Sequence, residues 1–351
     1  MHLVSTAVLI TCPQLAKAQS SVTLSGLLGS GVSYTTNAGA HGSGQYQLNG
    51  THAVPFFAMS GKEMLDGDTA AVFRLSKYAF LDTGISTPFE SFVALSSNSK
   101  GTVSLGSMYD LLADLVPFTS ERYTSLLATH PGNLDRTVGN SLNSTVKYKS
   151  PVLGGLQFGA MYAFGSASST TNAGRAVGGE ISYANGPIQT IFVWESVNGV
   201  PYAPALKLGI TRLYGIDFSK TPTASVLQSQ NTATAGIAYA DEGWRVMGNY
   251  SYTRLSAAGV RETAQSVDVG AYKYVTPQTR IGGGYSYTSL DPYKWNQFHA
   301  HLDYALSKRT SLYVLGVLQV AGSGQLAVMR NQAPATASRQ MVVEAGITHL
   351  F

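Results

Sequence analysis

Charge is scarce in this chain. Asp, Glu, Lys and Arg make up 12% of its 351 residues, about half the share of an ordinary soluble domain. The single cysteine, Cys12, excludes an intrachain disulfide. No stretch approaches the roughly 18 uninterrupted apolar residues of a membrane-spanning helix, so that architecture is excluded. The net charge of +4 is scattered without a Lys/Arg cluster, so nothing points to a nucleic-acid partner. Absent too are Gly-x-Gly-x-x-Gly, Gly-x-x-x-x-Gly-Lys-Ser/Thr and His-Glu-x-x-His. The Ser-x-x-Lys spacings at Ser97 to Lys100 and Ser144 to Lys147 come without the partner motifs of an acylating enzyme. His299 and His301 share one strand face, but two histidines without a further ligand do not make a zinc site.

What is present is glycine (37), tyrosine (20) and alternation. Val22, Leu24, Leu28, Val32 and Tyr34 fall on one parity, with Thr23, Ser25, Gly29 and Ser33 on the other. The pattern recurs at Leu156, Phe158, Ala160 and Tyr162, at Trp244, Val246, Gly248, Tyr250 and Tyr252, and at Met341, Val343, Ala345 and Ile347. Turn signals such as Asn185-Gly186-Pro187 and Asp241-Glu242-Gly243 separate the runs. The chain is therefore all-β. Its second face is Ser, Thr, Gly, Gln and Asn rather than charge, which fits a transmembrane barrel with lipid outside and a polar lumen inside. About 16 strands of ~10 residues fit the length with room for turns and loops. A secreted β-sandwich or β-solenoid stays open on periodicity alone.

The first 18 residues read as a signal peptide, with an apolar stretch from Leu3 to Thr11 and Ala16-Lys17-Ala18 before Gln19. Only His2 precedes the apolar stretch, which leaves open an earlier true start. Residues 19–351 read as one domain.

Seven segments carry a more specific likeness. They are Gln19-Ser20-Ser21-Val22-Thr23-Leu24 with Gly26; Phe57, Gly61, Glu63, Leu65, Gly67, Ala71, Phe73 and Leu75; Gly101 to Gly106 with Tyr109-Asp110; Asn143-Ser144 with Val146-Lys147-Tyr148 and Ser150-Pro151; Ser182 to Pro187; Asp303 to Thr310 with Leu312-Tyr313; and Gly346-Ile347 with His349 and Phe351. In this order the chain resembles the trimeric general porins of Gram-negative outer membranes, especially the beta-proteobacterial branch. The resemblance implies a barrel of 16 antiparallel strands, a homotrimer, and a third extracellular loop, about 107–136 here, folded into each pore. It implies passive diffusion of ions and small hydrophilic solutes, no cofactor, no metal and no catalysis. It also implies contact with outer-membrane lipid and lipopolysaccharide, and Phe351 as the signal read by the barrel-assembly machinery.

In such porins acidic loop residues face basic wall residues across the constriction. The acidic candidates are Asp110, Asp114 and Glu121, with Asp135 a weaker one; the basic candidates are Lys62, Arg74, Arg136 and Lys147. Plain alternatives are a solvated or loop-anchoring carboxylate for the acids and a rim contact with lipopolysaccharide for the bases. The chain departs from the family where arginines are usual: Phe56, the surroundings of Phe89, and Ser107-Met108 stand instead. A weaker transverse field is expected. A solute-preferring porin, a non-conducting structural or adhesin barrel and an outer-membrane barrel enzyme are the other readings.

Overall fold

The structure is a computed structural model that describes residues 20–120, 124–165, 173–330 and 332–351; the expected signal peptide lies outside the described residues. The chain winds into β1 (Ser20–Thr35), β2 in two pieces (Gln45–Asn49 and Phe56–Met64), β3 (Thr69–Ala79), β4 (Ser86–Ser97), β5 (Gly101–Tyr109), β6 (Ser141–Lys149), β7 (Leu156–Phe164) and β8 (Arg175–Asn185). It continues through β9 (Ile188–Tyr202), β10 (Val226–Asp241), β11 (Trp244–Ala257), β12 (Val260–Tyr274), β13 (Thr279–Leu290), β14 (Tyr293–Ala305), β15 (Thr310–Ala321) and β16 (Arg339–Leu350). Each strand pairs antiparallel with the next, and β16 returns to pair with β1, so the sheet closes as a 16-stranded barrel. Phe351 extends the seam, its N–H donating to the Gly26 carbonyl at 3.0 Å and its carbonyl accepting from Gly26 at 3.1 Å.

The alternation sorts as expected. Val22 (67% exposed), Leu24, Val93, Ile237, Val314 and Ile347 all point outward. In water this would be an unacceptable apolar surface; in hydrocarbon it is the favourable face. Tyr239, Trp244, Tyr274 and Tyr304 lie near the short turns, and Tyr34 and Tyr162 toward the long loops, the two levels where amphipathic rings meet headgroups. The short turns include 98–100 and 242–243, while the long connections, 110–140, 203–225 and 322–338, emerge at the opposite end.

The inner face is not uniformly polar. Under the 110–140 loop it carries Met161, Ala163, Val193 and Met247, all nearly inaccessible. The 203–225 loop adds a second apolar lining, with Leu208, Tyr214 and Phe218 packed on Leu255, Leu290 and Trp295.

Val267 sits mid-strand on the outward face of β12. Val267→Arg should destabilise the barrel in lipid by ~2–4 kcal/mol, as midplane cations do. Urea unfolding in lipid vesicles measures this; an unchanged midpoint would contradict the outward assignment.

Candidate functional site: a loop seated inside the barrel

Residues 110–120 leave β5 along the inner wall, and residues 124–140 follow it back to β6. The loop thus starts at Asp110, since β5 continues through Tyr109, and ends at Asn140. Its first turn, Leu111–Phe118, buries Leu111, Leu112, Leu115 and Phe118 against the inner faces of β7–β11, and full burial of such side chains stabilises by roughly 1.5–3 kcal/mol each. Missing side chains on the wall make room. A Cβ on Gly236 would stand 2.7 Å from the Phe118 Cβ, and one on Gly270 would collide with Ser120, so the backbones approach only because these positions are glycine.

A polar chain continues the seat. Asp268 on β12 accepts from the Ser120 N–H at 2.8 Å and its hydroxyl at 2.9 Å. The hydroxyl also contacts His299 Nε2 at 2.8 Å, His299 Nδ1 meets Thr124 Oγ1 at 2.8 Å, and Thr124 Oγ1 meets His301 Nδ1 at 2.7 Å. Farther along, His130 Nδ1 pairs with Asp135 at 2.6 Å, the Ser251 hydroxyl donates to Asp135, and Gln230 donates to the Leu134 carbonyl at 2.8 Å. The Ser120 to His299 contact has a hydrolase-like look and none of its chemistry: Ser120 is buried, and a threonine hydroxyl rather than a carboxylate meets the second ring nitrogen.

The candidates separate by place. Asp110 and Arg136 are both buried and face each other rather than the lumen. Arg136 pairs with Asp110 and approaches Glu195 at 3.6 Å, while Asp110 also accepts from the Asn140 N–H at 3.2 Å. They brace the two ends of the loop. Asp135 is likewise a buried latch. Asp114 is partly exposed and meets Lys149 at 2.7 Å, and Lys149 also pairs with Glu180; this acid and its base touch along one wall instead of standing across the pore. Arg74 faces inward, its Nε donating to Glu90 at 3.1 Å. Lys147 donates to the carbonyls of Tyr109 and Asp110. Lys62 is exposed beside the short turn after Met64, at the end away from the long loops. Glu121 lies outside the described residues.

Sequence reasoning missed Lys149, Glu180, Glu195, Asp268 and the anchoring role of His299 and His301. Lys149 was within reach, because it shares strand parity with Lys147. The loop's partners on β12 and β14 are separated from it by 148 and 179 residues, and no local pattern announces such contacts.

Asp135 tests the latch. Burial pushes its carboxyl upward, but the neighbouring His130 and the Ser251 and Thr137 donors outweigh that and hold it at about 2, below the ordinary 3.8. A depressed native value gives stabilisation that is present above pH 3.8 and lost as pH falls through about 2. Asp135→Asn should therefore melt lower than wild type above pH 3.8, with the gap closing by about pH 2. Melting temperatures of the detergent-folded barrels across this range are the measurement, and a gap constant to the acid end would exclude the latch.

Between the 110–140, 203–225 and 322–338 segments lies a cavity of about 800 Å³ at the long-loop end, lined in part by Arg136, Asn140, Lys207, Gln230 and Arg330. Residues 5–316 match a family model described as Gram-negative porin. The chain is 28% identical to outer membrane porin protein 32 of Delftia acidovorans, over 96% of this chain and 95% of that one. It is 24% identical to an outer membrane porin protein of Bordetella pertussis (strain Tohama I), over 99% of each. The solved anion-selective porin from Comamonas acidovorans superimposes with a TM-score of 0.80 at 23% identity, over 95% of this chain and all (100%) of that one. A closed 16-stranded wall, an apolar outer face and a loop packed within the lumen accompany these likenesses, and the chain belongs to the Gram-negative porin family.

Proposed function

We propose that this porin is a passive diffusion channel of the outer membrane that favours anions, works as a homotrimer and performs no catalysis. The observation that carries the ion preference is an asymmetry within its charge pairs. The Lys149 side chain is 24% exposed and its partner Glu180 1%; Arg280 is 20% exposed and Asp303 10%; Arg74 is 28% exposed and Glu90 18%. The carboxylates lie beneath the cations, so a permeant ion meets the positive member first. Low-dielectric walls focus that field into the lumen. Asp114, at 41%, is the exception and opposes the preference. Among the described residues lining the mouth cavity the charged ones are Lys207, Arg330 and the buried Arg136, whose charge Asp110 already meets. The anion selectivity named for the Comamonas acidovorans structure points the same way.

For assembly, the outer face of β1–β5 offers a shallow apolar groove, with Val22, Phe73, Val93 and Leu105 at its edges, which a neighbouring copy would fill. The outward Arg254, its guanidinium 5.6 Å from the Tyr252 ring, sits near the long-loop end where lipopolysaccharide phosphates would lie. Phe351, after apolar residues at alternate positions, is the assembly signal in this reading.

Purified, unheated protein in a planar bilayer under a salt gradient should give triplet conductance steps and a reversal potential of the anion-preferring sign. Lys149→Gln should shift that potential toward cations and Asp114→Asn away from them. A cation-preferring wild type would overturn the preference, and a folded barrel that never conducts would overturn the channel.

A further inference from the structure

The loop's described hydrogen bonds and packing fall on β6–β16 and on Thr51 and His52. Among the described residues β3 and β4 receive none of them, and on this stretch of wall aromatic side chains gather. Phe89 stacks on Tyr78 with centroids 4.5 Å apart and meets Phe56 at 6.2 Å and Tyr109 edge-on at 5.1 Å. Phe56, Tyr78, Phe89 and Tyr109 come from four successive strands, and each stays partly exposed.

A bulge joins these rings to a charge pair. Leu75 pairs with Ser91 but Lys77 with Pro88, so Phe89 and Glu90 both face Ser76. Two consecutive residues therefore turn inward: Phe89 to stack on Tyr78, and Glu90 to accept from Arg74 Nε at 3.1 Å. The Arg74 guanidinium lies 5.8 Å from the Phe56 ring centroid. Its Nη1 reaches the Ser60 hydroxyl only at 3.5 Å, and among the described residues neither Arg74 Nη2 nor Glu90 Oε1 meets a protein partner. Both side chains are partly exposed. The pair thus keeps a spare donor and a spare acceptor beside the rings while its charges cancel.

These features restrict what can dock. Partly wet aromatic faces mark a place for an apolar surface, and several in a row mark a flat one. A cancelled charge pair gives a permeant ion no net attraction, whereas neighbouring hydroxyls, each both donor and acceptor, match its spare groups. A water-filled lumen delivers only what water dissolves, which sets aside hydrocarbon arenes.

We propose that this wall is a binding site for neutral cyclic sugars: the C–H face of a pyranose ring lies on the exposed parts of Phe56 and Phe89, and adjacent hydroxyls meet Arg74 Nη2 and Glu90 Oε1. The polarised C–H groups suit the negative face of an aromatic ring. The proposal rests on the channel reading and gives it a solute class.

Single-channel recording at constant ionic strength tests it, with methyl β-glucopyranoside, mannitol and benzamide as probes. Mannitol carries hydroxyls without a ring face, and benzamide a flat ring without hydroxyls. The glucoside should interrupt the current saturably and the other two should not. Phe89→Leu and Glu90→Gln should each weaken that block about fivefold, with Phe56→Leu read in place of Phe89→Leu if the latter fails to fold. Lys308→Gln, in a short turn at the other end of the barrel, should block as wild type does. Equal block by mannitol or by benzamide, a block insensitive to the ring substitutions, or the same loss in Lys308→Gln would overturn the site. So would open channels indifferent to the glucoside, which would leave the porin reading standing; folded trimers without conductance would remove the porin reading itself.

Discussion

A strand edge in hydrocarbon has nowhere to place its N–H and C=O groups, and everything else in this molecule follows from meeting that constraint by closure. Closing 16 strands on themselves satisfies the backbone without help from side chains. The outward positions are then free to be plain Val, Leu and Ile, and the inward ones free to be small, polar or, at chosen places, apolar. It also explains the low charge content: only the lumen and the rims need it.

Closure makes a tube wider than its side chains can fill, and the loop between β5 and β6 occupies the space. The loop is held by three kinds of contact at once: apolar burial of Leu111 to Phe118, close backbone approach at Gly236 and Gly270, and the chain from Asp268 through Ser120, His299 and Thr124 to His301. Each kind alone would allow rocking about one attachment. Together they hold the described stretches of the loop at several separate points on the wall.

The alternation was legible because its cause is local: successive side chains of a strand point to opposite faces, whatever lies beyond them. The all-β character and the strand parity of Arg74 and Lys147 could be read that way, whereas closure came only with the family resemblance, because periodicity alone left a sandwich or a solenoid open. The seating of the loop could not. Met161, Val193 and Met247 break the expected polarity of the inner face only because Leu111 to Phe118 cover them, and that partner lies on a different stretch of chain. Asp110 and Arg136 were recognisable as loop charges, but whether they face water or each other depends on the turn that brings Asn140 beside Asp110. Arginine positions occupied by Phe56 and Phe89 were visible as departures; that the two rings meet depends on a one-residue slip in β4.

The seam between β1 and β16 bears on quality control. Gly26 leaves room for the Phe351 ring, and a Cβ there would collide with it. The strand Arg339–Leu350 covers two edges at once. A wall without it would leave one edge of β1 and one edge of β15 open, and hydrocarbon offers those N–H and C=O groups nothing to bond. Closure is thereby checked by geometry, because a wall with a missing plank cannot hold water on one side and lipid on the other.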